Sequence, residues 1–118
     1  MKGILIVAHG SRAEATKKTF EGIVDMVRDK MPGEKIRHAY MEFSEESLEK
    51  GVEKLVAEGV NQIKVIPYFL FSGIHILEDI PEMIAACKKT YPDISIELGQ
   101  SLGQDPRLAD LLVERIQG

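Results

Sequence analysis

The chain has 118 residues, of which 44% are hydrophobic and 29% charged, and its formal net charge is −4. This length predicts a single domain over residues 1–118, because it can bury one core but not two. No apolar run approaches the roughly 20 residues that cross a membrane, no signal-peptide pattern is present, and the acidic balance argues against a general nucleic-acid surface. We therefore expect a cytoplasmic protein with neither membrane nor nucleic acid among its partners.

The single cysteine, Cys87, excludes an internal disulfide and any cysteine-based metal cluster within one chain. Its neighbours Ile84, Ala85 and Ala86 place it in a predicted helix. We interpret it as a core or boundary residue rather than a reactive thiol.

Four predicted strands alternate with four predicted helices. A continuous apolar run indicates the first strand, and alternation of apolar and polar residues indicates the second and the fourth. The third opens as an apolar run rich in β-branched and aromatic residues and breaks at Ser72-Gly73. The predicted strands are 3–8, 35–43, the stretch that opens at Ile63, and 94–98.

The starts of the first three helices have local signals. Ser11 and Glu14 fit a capping box for the first helix, and Ser44 predicts the start of the second. Asp79 precedes the third helix, with Pro81 in its first turn.

The last helix is predicted to start at Asp105-Pro106, an N-cap residue followed by a first-turn proline. Its inner face is expected to consist of Leu108, Leu111, Leu112 and Ile116. The βα unit thus occurs four times, which predicts an α/β fold with a four-stranded parallel sheet and helices on both faces.

Two of the three histidines follow predicted strands at the same edge of this sheet. His9 follows the first strand, His75 follows the third, and Glu42 closes the second. Neutral imidazole and carboxylate together make a mixed nitrogen and oxygen site that suits Fe, Co, Ni, Cu or Zn. The pattern predicts a metal site that leaves positions for an exchanging ligand.

Simpler interpretations of these residues stay open. A loop histidine is more often solvated or hydrogen-bonded than a metal ligand, and Glu42 can instead pair with a lysine. His38, in mid-strand beside Arg37, is interpreted as structural or surface. Arg12 is either a solvated residue at the helix start or a clamp for a carboxylate, since its planar guanidinium and the nearby helix amino end both favour such an anion.

Several common chemistries lack their motifs. The chain has no G-x-x-x-x-G-K-[ST] and no G-x-G-x-x-G after the first strand. The usual phosphate-binding loops of nucleotide hydrolases and of dinucleotide-binding enzymes are therefore absent from the sequence. Ser11 lies near His9 in sequence, but the G-x-S-x-G elbow of serine hydrolases is absent.

The chain resembles the short form of the sirohydrochlorin chelatases, the cobaltochelatases and ferrochelatases of cobalamin and siroheme synthesis. The motifs behind this resemblance cover nearly the whole length: H-G-S-R at 9–12, M-E-F at 41–43, P-Y-F-L at 67–70, G-I-H at 73–75, D-I-P at 79–81 and L-G-Q-D-P-R-L at 102–108. H-G-S-R together with G-x-H-x-x-x-D-I-P is the specific combination.

The resemblance implies the chelatase fold and a lyase that inserts a divalent metal into sirohydrochlorin, a reduced tetrapyrrole, without ATP. Cobalt is the first choice, with ferrous iron or nickel as alternatives; the metal is a substrate, and no permanently bound cofactor is expected. His9 and His75 would handle the metal. Glu42 would assist catalysis, although this chain has M-E-F-S where many relatives have L-E-F-A.

The resemblance also implies how the macrocycle is held. Ser11, Arg12, Ser72 and Gly73 are the candidates for binding its carboxylates. Longer relatives look like two copies of this unit in tandem, so this chain is expected to form a homodimer whose cleft encloses the macrocycle.

Two other functions stay open at this point. A metal or tetrapyrrole carrier would share His9 and His75 without inserting metal. A flavodoxin-like phosphate or flavin binder would use the same fold but would leave the paired histidines unexplained.

Overall fold

Each strand of the sheet is followed by a helix, as the sequence predicts. The computed structural model describes residues 1–71, 73 and 78–118. In chain order the elements are β1 (Lys2–Ala8), α1 (Glu14–Lys30), β2 (Lys35–Tyr40), α2 (Leu48–Ala57), β3 (Gln62–Pro67), α3 (Ile80–Thr90), β4 (Ser95–Leu98) and α4 (Pro106–Gln117). The predicted α/β fold with a parallel sheet is confirmed. Among the described residues, no helix has both the length and the apolar character needed to span a membrane.

The strand order β2-β1-β3-β4 places the first strand inside the sheet. All three pairings are parallel, and Leu5 of β1 lies opposite Arg37 of β2 and Val65 of β3. The chain moves one way after β1 and the other way after β2, so the strand order reverses between β1 and β3. In open parallel sheets, ligands bind at such a reversal, outside the carboxyl ends of the strands.

One face of the sheet, here called the closed face, lies under α2 and α3 and holds the larger core. Gly51 lets α2 approach β1, because a Cβ atom at this position would lie 2.6 Å from Leu5 Cδ1. Cys87 is buried here, as its helical context predicts. The fully buried side chains of this core include Leu5, Val7, Leu48, Val52, Leu55, Val65 and Ile80.

The opposite face, here called the open face, is covered by α1 over β1 and β2 only. Phe20 and Val24 of α1 pack against Ile6, Ile36 and Tyr40. Farther across, the sheet leaves a groove of about 370 Å³. It is lined by residues of β1, β3 and β4 and of the turn after α1, among them Lys2, Ile4, Met31, Lys64 and Glu97.

The predicted inner face of α4 is not buried within this one chain. None of its residues is buried, and the side chains of Leu112 and Ile116 are 63% and 80% exposed. The start of the helix agrees with the prediction: Asp105 accepts the backbone N–H of Arg107 at 2.9 Å, and Pro106 begins the first turn. The amphipathic pattern did not indicate what the apolar side of the helix contacts.

The first helix starts differently from the sequence prediction. Its N-cap is Ala13, and Ser11 Oγ accepts the backbone N–H of Ala13 at 3.1 Å. Ser11 therefore closes a short turn before the helix and does not form a capping box with Glu14, because the serine lies too far ahead of the first helical turn.

The second helix and the strand before it also differ from prediction. The helix begins at Leu48, where Ser47 accepts the Lys50 N–H, whereas Ser44 accepts the Glu46 N–H in the preceding loop. The strand ends at Tyr40 rather than at residue 43. Phe43 has a φ of 62°, a left-handed conformation that cannot continue a strand.

Candidate active site

His9 and Glu42 meet at the carboxyl edge of the sheet, beside the reversal of strand order. His9 directly follows β1, and Glu42 lies two residues beyond β2. The distance from His9 Nε2 to Glu42 Oε1 is 3.2 Å, and the two side chains are 44% and 48% exposed. An imidazole and a carboxylate thus lie side by side where solvent and a ligand can reach both.

The backbone brings this pair together. The β1–β2 ladder continues past the strand ends, with Met41 N–H donating to Ala8 O at 2.9 Å and Glu42 N–H donating to His9 O at 3.1 Å. Gly10 then turns with a φ of 109°, and a Cβ atom there would lie 2.1 Å from the Glu42 carbonyl oxygen. Only glycine fits this position, so H-G in the motif has a steric cause.

Arg12 and Phe43 form a second contact between the same two loops. The Arg12 guanidinium lies 4.7 Å from the centre of the Phe43 ring, a cation–π arrangement. Phe43 adopts its left-handed backbone immediately after Glu42. A non-glycine residue in this conformation is uncommon and is found more often at functional sites. This contact holds Arg12 beside the loop that carries Glu42.

The loops after β3 and β4 reach the same edge. The Phe69 ring lies edge-on to His9, with 6.4 Å between ring centres. The Phe69 carbonyl accepts the backbone N–H of Leu102 at 3.1 Å, which joins the two loops. Segments that follow all four strands therefore meet at this edge.

Exposed apolar side chains border this edge, a feature that the sequence interpretation missed. Phe43 follows β2, Leu70 and Phe71 follow β3, and Leu102 follows β4. Their exposed fractions run from 41% for Leu102 to 83% for Phe71. The M-E-F, P-Y-F-L and L-G-Q motifs contain three of them, Phe43, Leu70 and Leu102, but only the fold shows that they share one edge. Such a group of exposed apolar residues is typical of a binding surface.

The other predicted site residues divide into two sets. Ser11 and Gly73 are described: Ser11 stands beside the His9–Glu42 pair in sequence, and Gly73 is exposed on the segment after β3. His75 and Ser72 lie outside the described residues, so their predicted roles stay predictions.

Three pKa shifts have clear physical causes. Burial, together with a hydrogen bond to Glu21, raises the pKa of Tyr40 above its ordinary value. Burial raises the pKa of the Cys87 thiol, with a smaller contribution from Glu49. The hydrogen bonds from Arg107 hold the pKa of Asp105 below its usual range.

Comparison with known proteins identifies the family. The model of the CbiX family matches residues 3–118. The chain belongs to the CbiX family. The sirohydrochlorin cobaltochelatase of Methanosarcina acetivorans is 33% identical over 122 residues, which cover 98% of this chain and 94% of that relative. The chloroplastic sirohydrochlorin ferrochelatase of Arabidopsis thaliana is 35% identical over 115 residues, covering 98% of this chain and 51% of that relative.

A solved member of the chelatases is similar in structure. The sirohydrochlorin chelatase SirB from Bacillus subtilis subspecies spizizenii, in complex with cobalt, superposes with a TM-score of 0.93 at 28% identity. The match covers 98% of this chain and 50% of SirB. This chain therefore corresponds to about half of the SirB chain.

Proposed function

We propose that this CbiX-family chain is a sirohydrochlorin cobaltochelatase, a lyase that inserts Co²⁺ into the macrocycle without ATP. The observation that carries the proposal is the His9–Glu42 pair at the carboxyl edge, within a chain whose relatives include chelatases for cobalt and for iron. Fe²⁺ and Ni²⁺ are the alternative metals, because imidazole and carboxylate ligands accept all three.

In this proposal His9 and His75 take the metal from water, and Glu42 acts as a third ligand or as a base. Metal insertion must release two pyrrole N–H protons, and a carboxylate or neutral imidazole within reach can accept them. An imidazole binds a metal only through an unprotonated nitrogen, so activity is expected to fall as the medium becomes acidic.

The remaining surface suits a flat, carboxylate-rich macrocycle. The exposed apolar side chains of Phe43, Leu70, Phe71 and Leu102 offer contacts to its ring. Ser11, Arg12, Ser72 and Gly73 are proposed to bind its carboxylates, and Arg12 is already oriented by Phe43. The chain as a whole is acidic, so this attraction must come from local groups.

The functional unit is proposed to be a homodimer in the cytoplasm. The apolar side of α4 has no cover from its own sheet, and the open face leaves a groove. SirB, whose chain is about twice the matched length, supports a second copy as the missing half. Cys87 as a buried free thiol is consistent with a reducing compartment.

The test is anaerobic insertion of Co²⁺ into sirohydrochlorin, followed by absorbance, with Fe²⁺ and Ni²⁺ in parallel. His9→Ala, His75→Ala and Glu42→Gln are each expected to lower the rate by about 100-fold or more, because a positioned acid or base contributes at least that much. Glu45→Gln makes the same change three residues from Glu42 at an exposed position and is the matched control.

If the wild-type protein matches the uncatalysed rate but still binds metal or macrocycle, the chain is a carrier and not a chelatase. If the wild type is active and His9→Ala retains full activity while folded, the proposed role of the His9–Glu42 pair is wrong.

A further inference from the structure

A second group of metal-ligating side chains lies outside the candidate active site. Glu21 comes from α1, His38 from β2, and Glu46 from the loop before α2. One donor atom from each lies within 4.8 Å of the others. The group shares no residue with the His9–Glu42 pair.

His38 is the informative member. Its side chain is only 17% exposed, and it packs edge-on against the rings of Phe20 and Tyr40. Both ring nitrogens are buried, and neither has a hydrogen-bond partner among the described residues, although Glu46 Oε2 lies 2.6 Å from Nε2. The carboxylate is therefore close but not aligned with an N–H. A buried, unsatisfied polar nitrogen is costly and needs another partner.

Tyr40 positions both glutamates. Its Oη donates to the Glu21 carboxylate, at Oε2, over 2.5 Å, and its backbone N–H donates to the backbone carbonyl oxygen of Glu46 at 2.8 Å, which fixes the main chain that carries the Glu46 side chain. A hydrogen bond to a ligating carboxylate, such as the one to Glu21, orients ligands around protein-bound metals. In a tetrahedral site the ligand atoms stand about 3.4 Å apart. His38 Nε2 lies 2.6 Å from Glu46 Oε2 and 3.7 Å from Glu21 Oε2, so the separations in this group lie on either side of that value.

Charge also favours a divalent ion. Two carboxylates and a neutral imidazole balance a charge of +2. A cavity of about 40 Å³ borders His38 and Glu46 and has room for a water as a further ligand. Four basic side chains also line it, but three already have acidic partners: Arg28 with Asp25, Arg37 with Glu58 and Lys50 with Glu53.

We propose that Glu21, His38 and Glu46 form a second site for a divalent transition metal such as Co²⁺ or Zn²⁺. The alternative is an ion pair in which a protonated His38 lies between two carboxylates and no metal binds. The proposal does not rest on the insertion reaction, since it concerns a different set of ligands and is tested by binding alone.

The experiment uses the full-length His9→Ala, His75→Ala double variant. His38 is then the one histidine in the chain, because the sequence has three. After chelator treatment, Co²⁺ binding is measured by equilibrium dialysis and by visible ligand-field absorption. One Co²⁺ per chain is expected to remain. NMR is expected to show a paramagnetically shifted imidazole resonance, whereas a thiolate charge-transfer band would instead indicate Cys87.

Adding His38→Gln to this background is expected to weaken Co²⁺ binding at least about tenfold, since even an outer-shell partner contributes that much. Glu46→Gln changes an exposed residue and is expected to leave the fold intact, which circular dichroism checks. It is expected to weaken Co²⁺ binding by a similar factor. Glu45→Gln, the adjacent exposed acid, is the matched control and should leave binding unchanged.

The proposal is overturned if the double variant binds no Co²⁺ above the buffer level. It is equally overturned if Glu46→Gln and Glu45→Gln behave alike, or if the bound metal reports thiolate rather than imidazole. Insertion activity of the wild-type protein decides the proposed function separately, so the two can fail independently.

Discussion

The two faces of the sheet are built from similar strands but covered very differently. The closed face has two helices over it and a continuous set of fully buried side chains. The open face has α1 alone and a groove beyond it, while the apolar side of α4 faces solvent. The closed face therefore holds most of the buried core of one chain, whereas the open face and α4 leave apolar surface that the proposed second copy would cover.

The largest expected effect tests the closed face. Leu55→Ala removes a fully buried side chain and leaves a cavity, which should lower the free energy of unfolding by about 2–5 kcal/mol. Leu112→Ala on α4 is the matched control and should change it by less than about 0.5 kcal/mol in dilute protein. Urea unfolding measures both, and equal losses would mean that the two faces do not differ as described.

The second prediction concerns α4 as an interface. Leu112→Asp with Ile116→Asp places two charges on its exposed apolar side and should convert a dimer into a monomer in sedimentation equilibrium. Gln117→Asp adds a carboxylate to α4 without replacing an apolar residue and should leave the dimer intact. A wild-type protein that sediments as a monomer at tens of micromolar would contradict the homodimer proposal.

Replacing one helical glycine on each face tests the same comparison with smaller expected changes in the free energy of unfolding. Gly22→Ala in α1 meets no atom within 4 Å and should stabilise the chain by about 1 kcal/mol through helix propensity. Gly51→Ala in α2 gains the same amount, but its Cβ meets the fully buried Leu5, and overpacking costs about 1–3 kcal/mol. The second variant should therefore be neutral or destabilised by up to about 2 kcal/mol in urea unfolding. If both variants are stabilised equally, α2 is not packed against Leu5 as closely as described above.

The smallest expected effect belongs to the open-face core. Tyr40→Phe removes one hydrogen bond to Glu21 and should lower stability by about 1 kcal/mol at neutral pH. The folded-state pKa of Tyr40 is raised above its ordinary value of about 10, so the folded state favours the neutral phenol. That contribution is complete below about pH 10 and is lost as the pH rises beyond it. The melting temperatures of the wild type and of Tyr40→Phe, measured by thermal unfolding, should therefore converge at high pH. A difference in melting temperature that stays constant with pH would show that ionisation of Tyr40 does not affect stability.

Local signals predicted what local interactions determine. The element order and the starts of α3 and α4 follow from hydrophobic period and from Asp79 and Asp105, and the structure agrees. The predicted starts of α1 and α2 were wrong, because the backbone and not the side-chain type decides which residue caps a helix. Ala13 is the N-cap of α1, although Ser11 lies two residues before it. Ser44 forms a turn and Ser47 caps α2.

The sites show the same division. The positions of His9 and Glu42 after two predicted strands were enough to predict that they lie at one edge of the sheet. They come together because the backbone hydrogen bonds between β1 and β2 continue past the ends of both strands. His38 was interpreted as structural or surface, because Glu21 and Glu46 are far from it in sequence and only the packing of α1 and the loop before α2 brings them close. Likewise, an amphipathic pattern cannot state whether its apolar side meets its own chain or another.

The position of β1 also matters while the chain is being made. This strand leaves the ribosome before its neighbours β2 and β3, and it can be hydrogen-bonded on both sides only after Pro67 has emerged. At roughly 5–20 residues per second, translation leaves this apolar segment without its final neighbours for several seconds. An interior strand of the finished sheet is thus the one that waits longest for its final neighbours during synthesis.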